Sequence, residues 1–202
     1  MPHYYSEKQD AAFELKTITI RLKKTAFDLY SASGIFSKDA VDFGTRLLIE
    51  NSVVQDGWDV LDLGCGNGVV GISLKKQHPT LHIVMSDVNE RAVELANKNI
   101  ALHHLTEQGI TAVQSDLFSN EKIRKVNFDT ILLNPPHAAG KEVCFRMITE
   151  SCEHLKPGGT LQLVARHNKG GASLEKKMQE VFGNVKTIAK RGGFRVYVGM
   201  KE

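Results

Sequence analysis

The chain has 202 residues, of which 42% are hydrophobic and 24% charged, and its formal net charge is +3. This composition is typical of a globular protein and excludes a disordered or collagen-like chain. No apolar run approaches the roughly 20 residues that a membrane-spanning helix needs. Glu7, Lys8 and Asp10 lie where a secretory signal peptide would be apolar. We therefore expect a cytoplasmic protein with no membrane partner, in which residues 1–202 form one domain.

The cysteines and histidines show no metal-binding spacing. The three cysteines, Cys65, Cys144 and Cys152, form no CxxC pair, and the eight histidines include no HExxH motif. We therefore expect reduced cysteines and no metal site.

The charges are unevenly distributed along the chain. Residues 165–202 carry nine basic and three acidic residues, a net charge of +6, and the remainder carries 17 basic and 20 acidic residues. A basic carboxyl-terminal quarter indicates a polyanionic partner, although a solvated surface produces the same pattern.

The first predicted elements are a small hairpin and a helix. Residues 15–22 and 25–30 each alternate apolar with polar side chains, which predicts two antiparallel strands. Segment 39–54 then places apolar residues at helical spacing, and Ser37 is its expected N-cap.

Strands and helices alternate through the rest of the chain. The predicted strands are 58–63, 81–86, 110–114, 128–133 and 160–165, and the predicted helices are 68–77, 89–104, 141–155 and 172–182. A Gly-Gly turn then joins strands 185–189 and 194–200 into an antiparallel hairpin. The pattern predicts an α/β, Rossmann-like fold with a seven-stranded, mostly parallel sheet. Residues 57–202 would form its core, and residues 1–56 an extension.

A glycine-rich loop follows the first strand of this core. The motif Asp62-Leu-Gly-Cys-Gly-Asn-Gly68 satisfies a DxGxGxG pattern, and Gly66, Gly68 and Gly71 also satisfy the GxGxxG dinucleotide pattern. Such turns let the backbone approach a nucleotide-type cofactor closely. A tight turn with no ligand is the alternative.

Asp62 favours the DxGxGxG interpretation. A carboxylate near the position of a pyrophosphate would repel it, whereas it would attract a cationic amine. S-adenosylmethionine carries an ammonium group, a sulfonium and a ribose, and it has no phosphate.

Two further acids follow the next two strands. Asp87 is placed to bind both ribose hydroxyls, and Asp116 is placed to accept a hydrogen bond from the adenine amine. The Leu117 N–H would reach a ring nitrogen. A single loop carboxylate often only caps a helix. However, these acids and Asp62 follow successive strands at the edge where open α/β sheets bind ligands.

The fourth core strand ends in Asn134-Pro-Pro-His137. Two prolines stiffen the backbone and offer no N–H. The turn therefore presents acceptors, namely the Asn134 side-chain oxygen and the Pro135 carbonyl. Two fixed acceptors suit the planar exocyclic amine of a nucleobase and direct its lone pair at a methyl donor. His137 is expected to stack on the base. A rigid loop without catalytic function is the alternative.

On these motifs the chain resembles the class I S-adenosylmethionine-dependent methyltransferases of the "methyltransferase small" group. That group includes ribosomal RNA guanine-N2 methyltransferases and short archaeal homologues. Residues 62–68 are similar to its cofactor loop and residues 134–137 to its (Asn/Asp)-Pro-Pro-aromatic turn. Gly34-Ile-Phe-Ser37 with Asp42-Phe-Gly-Thr45 is similar to the segment before the cofactor-binding domain, and Phe194-Arg-Val-Tyr197 to the terminal strand.

The resemblance implies a class I methyltransferase fold and methyl transfer to an exocyclic amine, with guanine N2 in ribosomal RNA as the first expectation. The residues expected to contact S-adenosylmethionine are Asp62, Gly64, Cys65, Gly66, Asn67, Gly68, Asp87, Val88, Asp116, Leu117 and Asn134. The expected catalytic residues are Asn134, Pro135, Pro136 and His137. Phe36 and Ser37 are expected to line the cofactor pocket. The family usually has Phe, Tyr or Trp at position 137, which leaves the stacking role of this histidine open.

Several alternatives remain open at the level of the sequence. Adenine N6 and a protein glutamine amide are substrates for the same kind of turn. The GxGxxG pattern also allows an NAD-dependent oxidoreductase in place of a methyltransferase. A further alternative is a non-catalytic RNA-binding module. We expect RNA or a ribosomal subunit as partner, contacted through the amino-terminal hairpin, the basic tail or a further protein, and a monomer or homodimer.

Overall fold

The computed structural model describes residues 15–23, 25–32, 41–136 and 140–202. The strands in these ranges are β1 (Leu15–Arg21), β2 (Ala26–Ala32), β3 (Asp59–Leu63), β4 (His82–Asp87), β5 (Ile110–Gln114), β6 (Phe128–Leu133), β7 (Leu155–Arg166), β8 (Lys186–Arg191) and β9 (Phe194–Met200). The helices are α1 (Phe43–Asn51), α2 (Val69–Gln77), α3 (Glu90–Leu102), α4 (Glu121–Arg124), α5 (Lys141–Glu153) and α6 (Ala172–Phe182).

Seven strands form the central sheet in the order β5-β4-β3-β6-β7-β9-β8. The pairs from β5 to β7 are parallel, and β9 is antiparallel to both β7 and β8. The predicted mostly parallel sheet with an antiparallel carboxyl-terminal hairpin is therefore confirmed. The hairpin joins the sheet through β9, which leaves β8 at the edge.

The amino-terminal hairpin is also confirmed, as a separate two-stranded sheet of β1 and β2. Its apolar side chains Ile18, Ile20, Phe27 and Leu29 are buried, whereas the residues between them on β1 are exposed. Apolar and polar residues alternate along these strands, and successive strand residues point to opposite faces. The apolar residues therefore lie together on the buried face.

The central sheet is covered on both faces, so its middle strands β3 and β6 are mostly buried and apolar, whereas the edge strand β8 is largely exposed. Side chains of the hairpin, α1, α2 and α3 pack with Val60 and Leu132 on one face. Side chains of α4, α5 and α6 pack with Leu61 and Leu133 on the other. Neighbouring residues of β3 and β6 thus contribute to opposite cores.

Helix α1 is shorter than the predicted segment 39–54. It begins after Asp42, whose Oδ1 accepts hydrogen bonds from the N–H groups of Gly44 at 2.9 Å and Thr45 at 3.1 Å. Ser37, the expected N-cap, lies outside the described residues. After the helix, the Val53 N–H donates to Gln162 Oε1 of β7 at 2.9 Å, so the chain leaves the helix to follow the sheet.

Smaller differences concern two other elements. Helix α4 was not predicted, because its four residues are too few to show a helical period. Strand β7 begins at Leu155, five residues before the predicted strand, and includes the Pro157-Gly158-Gly159 segment. Within the described chain, no helix combines the length and the apolar character that crossing a bilayer requires.

Asn99 connects three parts of the fold. This side chain of α3 is fully buried. Its Oδ1 accepts from the Tyr30 N–H at 2.7 Å, and its Nδ2 donates to the Tyr30 carbonyl and the Asn67 carbonyl, both at 2.9 Å. One amide therefore ties β2 of the hairpin, α3 and the glycine loop together.

Replacing Asn99 should destabilise the protein because three backbone groups, of which the Asn67 carbonyl is buried, would lose their partner. We expect Asn99→Ala to lower the free energy of unfolding by about 2 to 3 kcal/mol, measured by urea denaturation. The matched control is Asn97→Ala on the same helix, where the side chain is exposed and the expected loss is below about 1 kcal/mol. Equal losses in the two variants would contradict the structural role of Asn99.

Candidate active site

A cavity of about 220 Å³ opens at the carboxyl ends of β3, β4 and β6. This is the edge at which parallel α/β sheets bind ligands. Of the residues predicted for the site, the cavity brings together Asp62, Gly64, Cys65, Gly66, Asn67, Asp87, Val88, Asp116, Leu117, Asn134 and Pro136. Residues from four predicted motifs that are far apart in the chain therefore line one cavity.

The glycine loop exposes backbone to this cavity. Gly64 and Gly66 have φ angles of 76° and 56°, in the left-handed region that favours glycine. The N–H groups of Gly64 and Cys65 both donate to the Ser86 carbonyl, at 2.8 and 2.9 Å. A Cβ added at either glycine would meet no heavy atom within 4 Å. The loop thus leaves open space beside its backbone for a ligand.

Asp62 lies beneath this loop and is 3% exposed. Its Oδ2 accepts the Gly71 N–H at 3.1 Å. Burial raises the pKa of this carboxyl to about 7, and the nearby Asp87 contributes in the same direction. A cation beside Asp62 would restore the ionised form, since an opposite charge favours it.

The last two glycines of the GxGxxG pattern pack against the protein. A Cβ on Gly71 would come within 2.7 Å of Met85 Cγ, so this glycine allows α2 to lie close to β4. A Cβ on Gly68 would lie 3.2 Å from Met85 Cε. Gly68 precedes α2 with a φ of 83° and does not line the cavity, although it was predicted to contact the cofactor.

Asp87 organises the neighbouring loop. Its Oδ2 accepts the Gly66 N–H and its Oδ1 accepts the Asn89 N–H, both at 2.9 Å. Burial raises the pKa of this carboxyl as well, although these backbone hydrogen bonds oppose the increase. Each oxygen keeps a further lone pair, so the carboxylate can still accept hydrogen bonds from a diol.

Asp116 and Leu117 form the next part of the wall. Leu117 has a φ of 49°, which is uncommon for a residue other than glycine. The Ser115 hydroxyl holds this turn by donating to the Leu117 carbonyl at 2.7 Å. Among the residues that the structure describes, the Leu117 N–H has no acceptor.

Asn134 is oriented by α1. The Thr45 hydroxyl donates to Asp42 Oδ2, which is an acceptor only. Thr45 Oγ1 therefore has only lone pairs left for Asn134, and Asn134 Nδ2 donates to it at 2.8 Å. Because the amide nitrogen is committed to Thr45, Asn134 Oδ1 is the atom left to accept.

Other predicted residues are not at the cavity or are not described. Pro135 is buried and does not line the cavity, whereas Pro136 does. His137, Phe36 and Ser37 lie outside the described residues. No group of three or more potential metal ligands occurs in the described part of the chain.

Several lining residues were not predicted. Thr45, Asn89 and Ser115 add polar groups, and the α5 residues Val143, Arg146 and Met147 form a further wall. Thr45 lies in the segment Asp42-Phe-Gly-Thr45 that carries part of the family resemblance. Among these residues, this is the sequence feature that could have predicted a place at the cavity. The α5 residues belong to an ordinary amphipathic pattern that does not distinguish a cavity from a core.

Comparison with known proteins gives the family. The model of the methyltransferase small domain matches residues 26–198. The Bacillus subtilis (strain 168) protein named uncharacterized protein YbxB is 42% identical over 202 residues, covering 98% of each chain. Ribosomal RNA small subunit methyltransferase C of Haemophilus influenzae (strain PittGG) is 32% identical, covering 96% of this chain and 58% of that protein.

A solved structure shows the same fold. It is a T. thermophilus 16S rRNA N2 methyltransferase (RsmC) in complex with AdoMet and guanosine, with a TM-score of 0.78 and 23% identity. The match covers 96% of this chain and 52% of that one, so this chain spans little more than half the length of either ribosomal RNA methyltransferase. Together with the sheet order and the residues at its edge, these matches show that the chain belongs to the methyltransferase small domain family.

Proposed function

We propose that this chain transfers a methyl group from S-adenosylmethionine to the exocyclic N2 amine of guanine in ribosomal RNA. The observation that carries the proposal is one shared cavity. Asp62, the glycine loop and Asp87 line one part of it, and Asn134 and Pro136 line another. Methyl donor and acceptor must meet at close range for transfer. The names of the relatives and the guanosine in the RsmC structure support the choice of substrate.

The residues of the cavity fit this cofactor. When bound, S-adenosylmethionine supplies an electrophilic methyl group on a sulfonium. Asp62 would pair with its ammonium group, which favours ionisation of a carboxyl whose pKa is raised by burial. Asp87 would accept hydrogen bonds from the ribose hydroxyls. Asp116 and the Leu117 N–H would bind the adenine edge.

The same cavity is poorly suited to a dinucleotide. Asp62 lies beneath the glycine loop, near the position that a pyrophosphate would occupy, and its charge would repel phosphate. Gly71, the third glycine of GxGxxG, packs against Met85. The third glycine of a dinucleotide fingerprint also serves helix–strand packing, so Asp62 is the residue that disfavours a dinucleotide.

Asn134 would hold the target amine. Its Oδ1 would accept one N–H of the amine, and the orientation set by Thr45 keeps that oxygen available. This directs the nitrogen lone pair toward the methyl group through positioning and preorganised electrostatics. Transfer would break the bond between the methyl carbon and the sulfonium and leave a neutral thioether. The methylated nitrogen would be cationic and acidic, so its proton would leave to solvent after transfer and no strong base would be needed.

The proposal extends to the organisation and partners of the chain. Residues 57–202 would form the cofactor-binding core, with residues 1–56 as an extension, of which the described strands β1 and β2 and helix α1 pack on one face of the sheet. RNA is the proposed macromolecular partner, and the cytoplasm is the proposed location.

The function is tested by methylation in vitro. Purified protein, S-adenosylmethionine with an isotope-labelled methyl group and total RNA are incubated, and the digested nucleosides are identified by mass spectrometry. We expect the label in N2-methylguanosine. Label confined to N6-methyladenosine would overturn the guanine assignment, and no incorporation into RNA from a strain that lacks this protein would overturn RNA methylation.

Asn134→Ala should lose activity and keep the cofactor. We expect its kcat to fall at least about 100-fold, as is typical when a preorganised group at the reacting atoms is removed. Its affinity for S-adenosylmethionine should change less than about threefold, measured by calorimetry.

Thr45 provides the matched pair for this experiment. Thr45→Val removes the acceptor for Asn134 Nδ2 and should lower kcat at least about tenfold, whereas Thr45→Ser keeps the hydroxyl and should keep most of the activity. Equal activity of the two variants would exclude Thr45 as the residue that positions Asn134.

Cofactor affinity should depend on pH through Asp62. With a pKa of about 7, this carboxyl is mostly neutral near pH 6 and mostly ionised near pH 7.5. The cofactor amine stays protonated below about pH 8. We therefore expect affinity to fall about five- to tenfold from pH 7.5 to pH 6, measured by calorimetry. Asp62→Asn should bind more weakly and lose this dependence, and an unchanged pH profile in that variant would contradict the assignment.

A further inference from the structure

A second group of side chains lies beside the active site. We call Phe43, Phe194, Arg166 and Arg191 the arginine–phenylalanine shelf. The two rings lie 5.7 Å apart and tilted by 44°. The Arg166 guanidinium carbon lies 5.7 Å from the Phe194 ring centre, and that of Arg191 lies 6.0 Å from the Phe43 ring centre. Each ring thus has its own guanidinium group within cation–π distance.

The backbone leaves room for these rings. A Cβ on Gly44 would come within 2.9 Å of Phe194 Cε1, and a Cβ on Gly192 would lie 3.1 Å from Phe43 Cε1. Gly192 also has a φ of 57°, in the hairpin turn between β8 and β9. Glycine at both positions allows α1 and this turn to approach the rings. The shelf residues come from four elements, α1, β7, β8 and β9.

The shelf is open to solvent and positively charged. Phe43 is 42% exposed. Arg166 and Arg191 are exposed, as are the nearby Arg46 of α1 and Lys169 of the turn after β7. These four cations form no ion pair with any side chain in the described ranges.

The shelf adjoins the proposed catalytic turn. Phe43 and Thr45 both lie in the first turn of α1, which rises about 5.4 Å. Thr45 Oγ1 accepts the hydrogen bond from Asn134. Arg166 ends β7, the strand next to β6, from which the Asn134 turn leaves. The rings and guanidinium groups therefore lie along the same sheet edge as the target amine.

We propose that the arginine–phenylalanine shelf binds the single-stranded RNA next to the target nucleotide. The shelf stacks unpaired bases on Phe43 and Phe194 and places the two guanidinium groups at the phosphates. The inference rests on the proposed function, because it takes the nucleotide at Asn134 to be part of an RNA chain.

The chemistry favours an unpaired strand over a duplex. Aromatic rings and guanidinium planes bind bases whose faces are free, and a paired helix hides those faces. The carboxylates of an acidic peptide would pair with the guanidinium groups, but they would not explain the exposed Phe43 ring. Surfaces that bind single-stranded nucleic acid typically combine aromatic rings with arginines, as this one does. In the part of the chain that the structure describes, no acidic side chain neutralises the two arginines.

The test measures RNA binding separately from catalysis. The full chain is titrated into a fluorescein-labelled single-stranded RNA of about 12 nucleotides, with and without an unlabelled complementary strand, and fluorescence anisotropy is recorded. The variants are Phe43→Ala, Arg191→Gln and the conservative Phe43→Tyr. The control is Lys186→Gln, which removes an exposed cation at the other end of β8. Affinity for S-adenosylmethionine verifies that each variant is folded.

We expect Phe43→Ala to weaken RNA binding about tenfold, while Phe43→Tyr and Lys186→Gln stay close to the unchanged protein. Arg191→Gln should weaken binding and reduce the slope of log affinity against log salt by about 0.7, the value for one phosphate contact on a single strand. Pairing the RNA with its complement should weaken binding of the unchanged protein.

If Phe43→Ala bound the single-stranded RNA as tightly as the unchanged protein, RNA binding by the arginine–phenylalanine shelf would be excluded. It would also be excluded if Lys186→Gln lost as much RNA affinity as Phe43→Ala. Failure of the shelf proposal can be distinguished from failure of the proposed function. Shelf-dependent RNA binding without methyl incorporation would overturn only the enzymatic proposal, and methylation with unaffected shelf variants would overturn only the shelf.

Discussion

Two carboxylates, the buried Asp62 and the partly exposed Asp87, hold the glycine loop against the sheet. Asp87 accepts the Gly66 N–H in the middle of the loop, and Asp62 accepts the Gly71 N–H in the first turn of α2, so acids fix both the loop and the helix that follows it. Burial raises the pKa of both carboxyl groups. Ionised acids without a counter-charge are costly at such positions. A cationic, phosphate-free ligand reduces that cost, which links the local packing of the loop to the choice of cofactor.

The opposite wall depends on the first turn of α1. Asp42 caps the helix and, through Thr45, determines which atom of the Asn134 amide faces the cavity. Phe43 in the same turn belongs to the arginine–phenylalanine shelf. One helical turn therefore joins helix capping, orientation of the proposed catalytic amide and the proposed RNA contact.

Much of this arrangement could be predicted because it is local in sequence. The alternation of strands and helices predicted the sheet, and three acids after successive strands predicted one wall of the cavity. Thr45 could not be predicted to contact Asn134, since the two are 89 residues apart and no local period marks such a pair. The start of α1 was misjudged because the apolar period continues before Asp42, whereas the cap itself decides where the helix begins. Pro135, expected to offer its carbonyl, is buried and does not line the cavity.

The central claim is that the cavity selects a cationic nucleoside cofactor without phosphate. The most direct test is isothermal titration of the purified chain with S-adenosylmethionine and, separately, with NADH. We expect saturable binding of S-adenosylmethionine, with proton release near pH 7 as Asp62 ionises, and no detectable binding of NADH. Binding of NADH in place of S-adenosylmethionine would contradict the claim.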